Sequence, residues 1–297
     1  MPRPGVFALG GSSIIGVLEA GAIILAGGKS SRMGSPKATL GWHGSTLLRR
    51  VTGLARRTVD GPVVVVRAPE QALPTVDAAV EVVSDAREGR GPLQGLAAGL
   101  AAIGERAEVV YVSSTDVPLL HPAFMRRVIG AFTPDIDVVL PEVRGHRQPL
   151  SAGYRTSLLP QVEALIAADK LKPAFLFEQC RVRRLDDATM LSDQVLATAD
   201  PGLASVSNLN EPSDYARAHA LPAPEIEVRR FGTLAVNSAV RFRRVPAWSL
   251  GQLADAIGLT LDEHVVAALN GDQITRDREL PLATGDEVGF IIADAGG

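Results

Sequence analysis

Apolar residues in the first two-thirds of this chain come in short runs separated by longer helix-like stretches. The runs cover residues 22–26, 62–67, 80–84, 109–113 and 137–140, and their β-branched content predicts strands. Between them, residues 47–58, 93–103 and 122–132 read as helices. Strand alternating with helix predicts an α/β class, a Rossmann-like, mostly parallel sheet covered on both faces. In such sheets ligands bind beyond the carboxyl ends of the strands. Helical signals continue over residues 157–168, 173–180 and 212–220. Leu221-Pro222-Ala223-Pro224 then favours an extended spacer.

Beyond the spacer the pattern changes. Residues 226–231 and 239–245 read as the strands of a hairpin. Residues 249–258 read as a helix, with Trp248, Leu250, Leu253, Ala254 and Ile257 near helical spacing and Gly258 as its stop. Residues 265–269 and 287–292 are further strands, and Asn270-Gly271 signals a tight turn. The order β-β-α-β-β predicts a small α+β domain. The expected division is an N-terminal extension over 1–20 with no assigned function, an α/β domain over 21–220, a linker over 221–224 and a second domain over 225–297.

Composition narrows the class. A length of 297 residues is enough for two ordinary domains. A net charge of −3 gives no global attraction to nucleic acid or anionic membrane, so neither is an expected partner. Cys180 is the only cysteine. It can form no disulfide within the chain and no cysteine-based zinc or iron–sulfur site, and a cytoplasmic location is expected. Residues 1–20 contain one basic residue, Arg3, and are interrupted by Gly10-Gly11-Ser12-Ser13, which argues against a secretory signal. No apolar stretch approaches the ~20 residues needed to span a bilayer.

The first candidate site follows the first predicted strand. Leu25-Ala26-Gly27-Gly28-Lys29-Ser30-Ser31-Arg32-Met33-Gly34-Ser35-Pro36-Lys37 is a glycine-rich run carrying Arg32 and Lys37. Paired glycines let backbone N–H groups approach a phosphate closely, and the two cations add charge to the same loop. A phosphorylated ligand is the natural occupant. The spacing matches neither the P-loop nor the dinucleotide fingerprint. Asp116 follows the strand at 109–113 and precedes Val117-Pro118. A carboxylate at that strand end can hold Mg²⁺ against a triphosphate, or it can simply cap the turn before the proline. By residue type alone, Asn208 and Asn210 read as turn and N-cap residues.

The run Gly-Gly-x-Ser-x-Arg-Met-Gly-x-x-Lys over residues 27–37 resembles the signature of the MobA-like nucleotidyltransferases, which include molybdenum cofactor guanylyltransferase. The resemblance extends over residues 22–220. Family members carry Asp-x-Pro at the strand end, usually after cysteine, where this chain has Thr115-Asp116-Val117-Pro118. Gly91-Pro92-Leu93-Gln94-Gly95 resembles the family's Gly-Pro-Leu-Ala-Gly, and Asp85 precedes it where the family contacts the nucleotide. Asn208-Leu209-Asn210-Glu211-Pro212 resembles the family's Asn-x-Asn-x-Pro, and residues 145–150 its acceptor-side loop.

The resemblance implies Mg²⁺-dependent transfer of GMP from GTP to molybdopterin or the molybdenum cofactor, with release of pyrophosphate. It assigns catalysis to Arg32, Lys37 and Asp116, and metal binding to Asp116 and Asn210. Nucleotide contacts fall to Leu25, Ala26, Gly27, Gly28, Lys37, Asp85, Gly91, Pro92, Leu93, Gly95 and Asp116. Guanylyl-specific members have an asparagine after the second strand, where this chain reads Arg67-Ala68-Pro69. A cytidylyl- or sugar-phosphate nucleotidyltransferase of the same fold is therefore the alternative, although Leu25-Ala26-Gly27-Gly28 is the guanylyl form.

The C-terminal region resembles the small sulfur carriers of molybdopterin and thiazole synthesis, the MoaD/ThiS-like proteins of β-grasp (ubiquitin-like) fold. The matching segments are residues 266–271, Leu280-Pro281-Leu282, Gly285-Asp286-Glu287-Val288 and the final Gly296-Gly297. That resemblance implies that Gly297 is adenylated by an E1-like adenylating enzyme, converted to a thiocarboxylate, and presented to the large subunit of molybdopterin synthase. A carrier with a non-catalytic nucleotidyltransferase-like scaffold is the other open reading.

Overall fold

The computed structural model describes residues 18–27, 36–85, 89–230 and 242–292. Gly28, Arg32, Gly296 and Gly297 lie outside the described residues, as do positions 1–17 of the N-terminal extension. In chain order the first elements are β1 (Ala20–Leu25), β2 (Gly41–Trp42), β3 (Ser45–Thr46), α1 (Leu47–Arg56), β4 (Val63–Arg67) and β5 (Val80–Ser84). Next come α2 (Pro92–Ile103), β6 (Val109–Ser114), α3 (Pro122–Ile129), β7 (Val138–Val143), β8 (His146–Arg147) and β9 (Ser151–Arg155). They continue with α4 (Leu159–Ala167), α5 (Pro173–Phe177), β10 (Val182–Asp186), α6 (Asp187–Leu191), α7 (Gln194–Ala199) and α8 (Pro212–His219). After the spacer follow β11 (Glu225–Arg230), β12 (Phe242–Pro246), α9 (Leu250–Ala256), β13 (Val265–Leu269), β14 (Gln273–Thr275) and β15 (Glu287–Ile292).

The first sheet has the order β10-β7-β9-β6-β1-β4-β5. All its pairs are parallel except those of β9, which runs against both β6 and β7, and β8, which folds back on β7. Its central strands are apolar on both faces, as a sheet covered on both sides requires. Ala22, Ile24, Val63, Val65 and Tyr111 pack with α1 and α3 residues such as Leu48, Val51 and Phe124. Ile23, Val64, Val66 and Val112 pack on the other face with Leu93, Leu96 and Leu100 of α2. Ile23 and Ile24 are fully buried, and each contributes about 1.5–3 kcal/mol.

Local chemistry sets the helix starts. The Thr46 hydroxyl accepts from Arg49 N–H and caps α1. Helix α2 begins at Gly91, whose φ of +83° a side chain would resist, with Pro92 in its first turn. At Gly99 a Cβ would fall 2.5 Å from Ile23 Cγ2, so only glycine lets α2 lie this close to β1.

Four elements of this sheet region depart from the expected pattern. Strand β9 reads Ser-Ala-Gly-Tyr-Arg and is carried by small residues rather than β-branched ones. Strand β10 exposes three of its five residues, so its apolar signal is weak. Helices α6 and α7 are short and held by Asp186 and Asp193 caps. Neither asparagine caps α8. Glu211 does, in a reciprocal box with Asp214.

The second sheet has the order β12-β11-β15-β13-β14, with β11 and β15 parallel at its centre. Strands β11 and β12 are antiparallel, as a hairpin requires. Helix α9, capped by the Ser249 hydroxyl, covers one face through Leu250, Leu253 and Ala254 against Ile226, Val228, Leu269 and Phe290. Asn270 and Gly271 have φ of +53° and +86°, as the turn signal demanded. The added strand β14 is three residues long and leaves Ile274 exposed, which is why periodicity missed it. The two sheets touch along α1. Ala283 joins the first core, and Trp42, Leu47, Leu209 and Trp248 form a cluster between them.

Candidate functional site

Strand β1 delivers the chain to the carboxyl edge of the first sheet. There Ala26 and Gly27 both donate to the Val66 carbonyl, at 2.8 and 3.3 Å. Gly27 runs so close to β4 that a Cβ would sit 3.1 Å from Ala68 N. Its amide thus extends the ladder, and any phosphate-holding amides of this loop fall after it. The facing turn is held by Gln71, whose Oε1 accepts from Ala68 N–H at 2.9 Å and whose Nε2 donates to the Ala26 carbonyl at 3.0 Å.

A cavity of about 250 Å³ opens at this edge. Leu25, Gly27, Asp85, Gly91, Pro92 and Gly95, all expected nucleotide contacts, line it together with Val66, Ala68 and Ser114. Asp85 is fixed by its own N–H, which donates to the Arg67 carbonyl at 2.8 Å. The start of α2 faces the cavity with Gly91, Pro92 and Gly95, so its amino-terminal dipole points at the ligand space with little side chain between. Leu93 does not share this role through its side chain, which is fully buried in the core under α2, and Ala26 is likewise buried.

Beside the cavity stands a charged pair. Lys37 Nζ lies 2.6 Å from Asp116 Oδ2, with the two side chains 20% and 14% exposed. The other Asp116 oxygen accepts from the Ser114 hydroxyl, and Ser114 is part of the cavity wall. Asp116 is therefore one hydrogen bond, and Lys37 two, beyond the lining rather than in it. The asparagine segment is brought to the same place by main chain. Leu209 N–H donates to the Asp116 carbonyl at 2.9 Å. Asn210 is exposed, and its N–H is taken by Asp214.

The donor set is hard oxygen. Among the described residues no group of three or more His, Cys, Asp or Glu could hold a metal. One carboxylate and a hydroxyl leave the rest of a coordination shell to phosphate and water, the arrangement Mg²⁺ prefers. Asp116 fits that ion. Sequence reasoning missed Ser114, Ala68 and Gln71, because a serine, an alanine and a loop glutamine carry no spacing signal of their own. Arg144 and Gly145, both at positive φ, make the turn between β7 and β8, and the segment 145–150 runs on through β8, exposed as far as Arg147 and half-buried from Gln148. Its Leu150 reaches the cavity.

Comparison with known proteins gives the family of the first two-thirds of the chain. The MobA-like NTP transferase domain matches residues 22–183, more than half the chain. This chain belongs to the MobA-like NTP transferase family. A molybdenum cofactor guanylyltransferase of Desulfosudis oleivorans is 31% identical over 199 residues, covering 67% of this chain and 93% of that protein. A probable molybdenum cofactor guanylyltransferase of Bacillus cereus is 29% identical over 202 residues, covering 66% and 94%. The crystal structure of molybdopterin-guanine dinucleotide biosynthesis protein A from Archaeoglobus fulgidus superposes with a TM-score of 0.53 at 21% identity, over 67% of this chain and 96% of that one. The chain is thus a nucleotidyltransferase of this family, and about a third of it lies outside these matches. No helix among the described residues is long and apolar enough to cross a membrane.

Proposed function

We propose that this nucleotidyltransferase moves GMP from GTP to the terminal phosphate of molybdopterin or its molybdenum form. The observation that carries the reading is the Lys37–Asp116 pair, joined through Asp116 and Ser114 to a cavity lined by Asp85 and the glycine-rich start of α2. An oxygen of the acceptor phosphate attacks the α-phosphorus in line, the bond to the β-phosphate oxygen breaks, and pyrophosphate leaves. The nucleophile is already anionic, so no general base is needed. Such chemistry depends on alignment and charge stabilisation. Mg²⁺, held by Asp116 with Asn210 close by, would neutralise phosphate oxygens. Lys37 leaves Asp116 to meet the triphosphate, and Arg32 adds charge on the pyrophosphate side. Asp85 accepts from the guanine edge or the ribose. The relatives' names and the Leu25-Ala26-Gly27-Gly28 form favour guanine over cytosine.

The second part of the proposal concerns residues 225–297, set off by the linker 221–224 from a transferase domain over 21–220. The strand order with β11 and β15 parallel at its centre, one covering helix, and the closing Gly296-Gly297 support a β-grasp sulfur carrier. Gly297 would be adenylated by an activating enzyme, thiocarboxylated, and offered to the large subunit of molybdopterin synthase. A cytoplasmic setting suits both activities. The test is Mg²⁺-dependent pyrophosphate release with a molybdopterin acceptor, supplying GTP, CTP, ATP and UTP in turn. Release with GTP alone is expected, and release with CTP alone overturns the guanylyl assignment. Loss of adenylation on deleting Gly297 is the matching result for the carrier, and continued adenylation removes it.

A further inference from the structure

Arg50 is a cation on α1 that is only 3% exposed. Its hydrogen-bond acceptors are main-chain carbonyls from separate parts of the chain. Nε donates to Pro118 O, two residues after Asp116. Nη1 donates to Trp248 O at 3.3 Å, and both Nη atoms reach Leu282 O at 3.4 Å. Trp248 and Leu282 belong to the second-sheet region. The guanidinium also lies over the Trp248 ring at 4.9 Å and the Trp42 ring at 6.0 Å. Trp42 is in the β2–β3 hairpin, five residues after Lys37.

A buried guanidinium is tolerable only while its acceptors stay in place. Arg50 therefore ties the flank of Asp116, the flank of Lys37 and the second sheet into one arrangement. Two further contacts grip the same hairpin from the second-sheet region. Ser45 Oγ donates to Glu279 at 2.7 Å, and Gln252 Nε2 donates to the His43 carbonyl at 3.1 Å. Relatives covered over 93–94% of their own length match only 66–67% of this chain, so this arrangement is not readable from them.

We infer that Arg50 is a positioning residue through which the second sheet and the nucleotide cavity are coupled. The inference rests on the reading of Lys37–Asp116 as the transfer site. On that reading Lys37 leaves Asp116 when the triphosphate binds, and opening the 2.6 Å pair moves the two flanks that Arg50 joins. The second sheet then senses occupancy, and by linkage its docking biases the site.

The chain has two tryptophans, Trp42 and Trp248, and both face Arg50. Intrinsic tryptophan emission therefore reports this junction alone. Mg²⁺-GTP is titrated into the full chain and followed by calorimetry and by emission. The wild type should show a saturable emission change with the same midpoint as the heat. In Arg50→Met the affinity should shift by about fivefold or more, kcat should fall about tenfold, and the emission response should vanish. Arg50→Lys, which keeps the charge but not the fork, should recover part of both. If Arg50→Met does not fold, the double variant Ser45→Ala, Glu279→Gln loosens the hairpin grip without leaving the cation's site empty, and should shrink the emission response. Binding with no emission change in the wild type, or wild-type kcat in a folded Arg50→Met, overturns the coupling while leaving the transfer site intact. No heat of binding in the wild type overturns the site reading itself, and the coupling with it.

Discussion

The cavity edge and the junction between the two sheets use polar groups in opposite ways. At the cavity the walls are glycines and small residues interleaved with Leu25, Val66, Arg67 and Leu150, and the charged pair Lys37–Asp116 keeps some exposure. At the junction the charges are shut in. Arg57 and Asp286 meet at 2.7 Å with side chains 4% and 9% exposed, and Asp286 also accepts from Asn270 and Ala283 N–H. His43 stacks between His219 and Trp248 at 4.0 and 4.9 Å. A site that must exchange ligands keeps its charge near water. A joint that must hold one geometry commits its charge to protein partners.

The difference predicts an ordered set of losses. Asp286→Ala leaves the buried Arg57, whose Nε and Nη2 already have no hydrogen-bond partner among the described residues, without its carboxylate. It should cost about 3–5 kcal/mol of unfolding free energy in urea titrations, with no side chain removed from the cavity. Asp116→Asn and Lys37→Met should do the reverse. Turnover should fall about 10²–10³-fold, equivalent to about 2.7–4 kcal/mol at the transition state, while the urea midpoint stays put. An active, folded Asp116→Asn chain would remove the mechanism.

A smaller effect is expected in the body of the first sheet. Gly99→Val forces α2 away from Ile23 and should lower stability by about 1–3 kcal/mol, read by thermal unfolding. The smallest effect concerns pH at the junction. Burial, with the charges of His219 and Arg50, pushes the His43 imidazole down to about 4 from its ordinary 6.5. Between those values the unfolded chain binds more protons than the folded one, so this group removes stability as pH falls through the window. The unfolding temperature should drop more steeply from pH 6.5 to 4.5 in the wild type than in His43→Asn. Asparagine suits the positive φ of 44° at that position.

Legibility in the sequence follows the same division. The cavity is walled by short local segments, so the glycine run before β4 and Asp116 could be picked out from their residues, and Asp85 and the Gly91–Gly95 segment from the family resemblance. The structure brings these described parts to one edge because parallel strands end together. The strands at 22–26 and 62–67 were legible because buried strands are continuous apolar runs, whereas the edge strand at 80–84, with Glu81, Val82 and Ser84 exposed, was legible through its valines alone. Strand β9 was not, since Gly153 must be small to fit against Phe132, Ala152 beside it is small too, and small residues carry no strand signal. The junction was illegible for another reason. Arg50 and Leu282, or Arg57 and Asp286, are more than 200 residues apart. An arginine on a helix gives no hint that carbonyls from another sheet will enclose it.

The central claim is that the cavity beside Lys37 and Asp116 holds a nucleoside triphosphate for transfer. The most direct measurement is a crystal structure of the full chain with Mg²⁺ and a non-hydrolysable GTP analogue. The account predicts the base and ribose among Asp85, Ala68 and Gly91, the phosphates between Lys37 and Asp116, and that pair drawn apart from its 2.6 Å contact. An analogue bound elsewhere, with Lys37 still closed on Asp116, would contradict it.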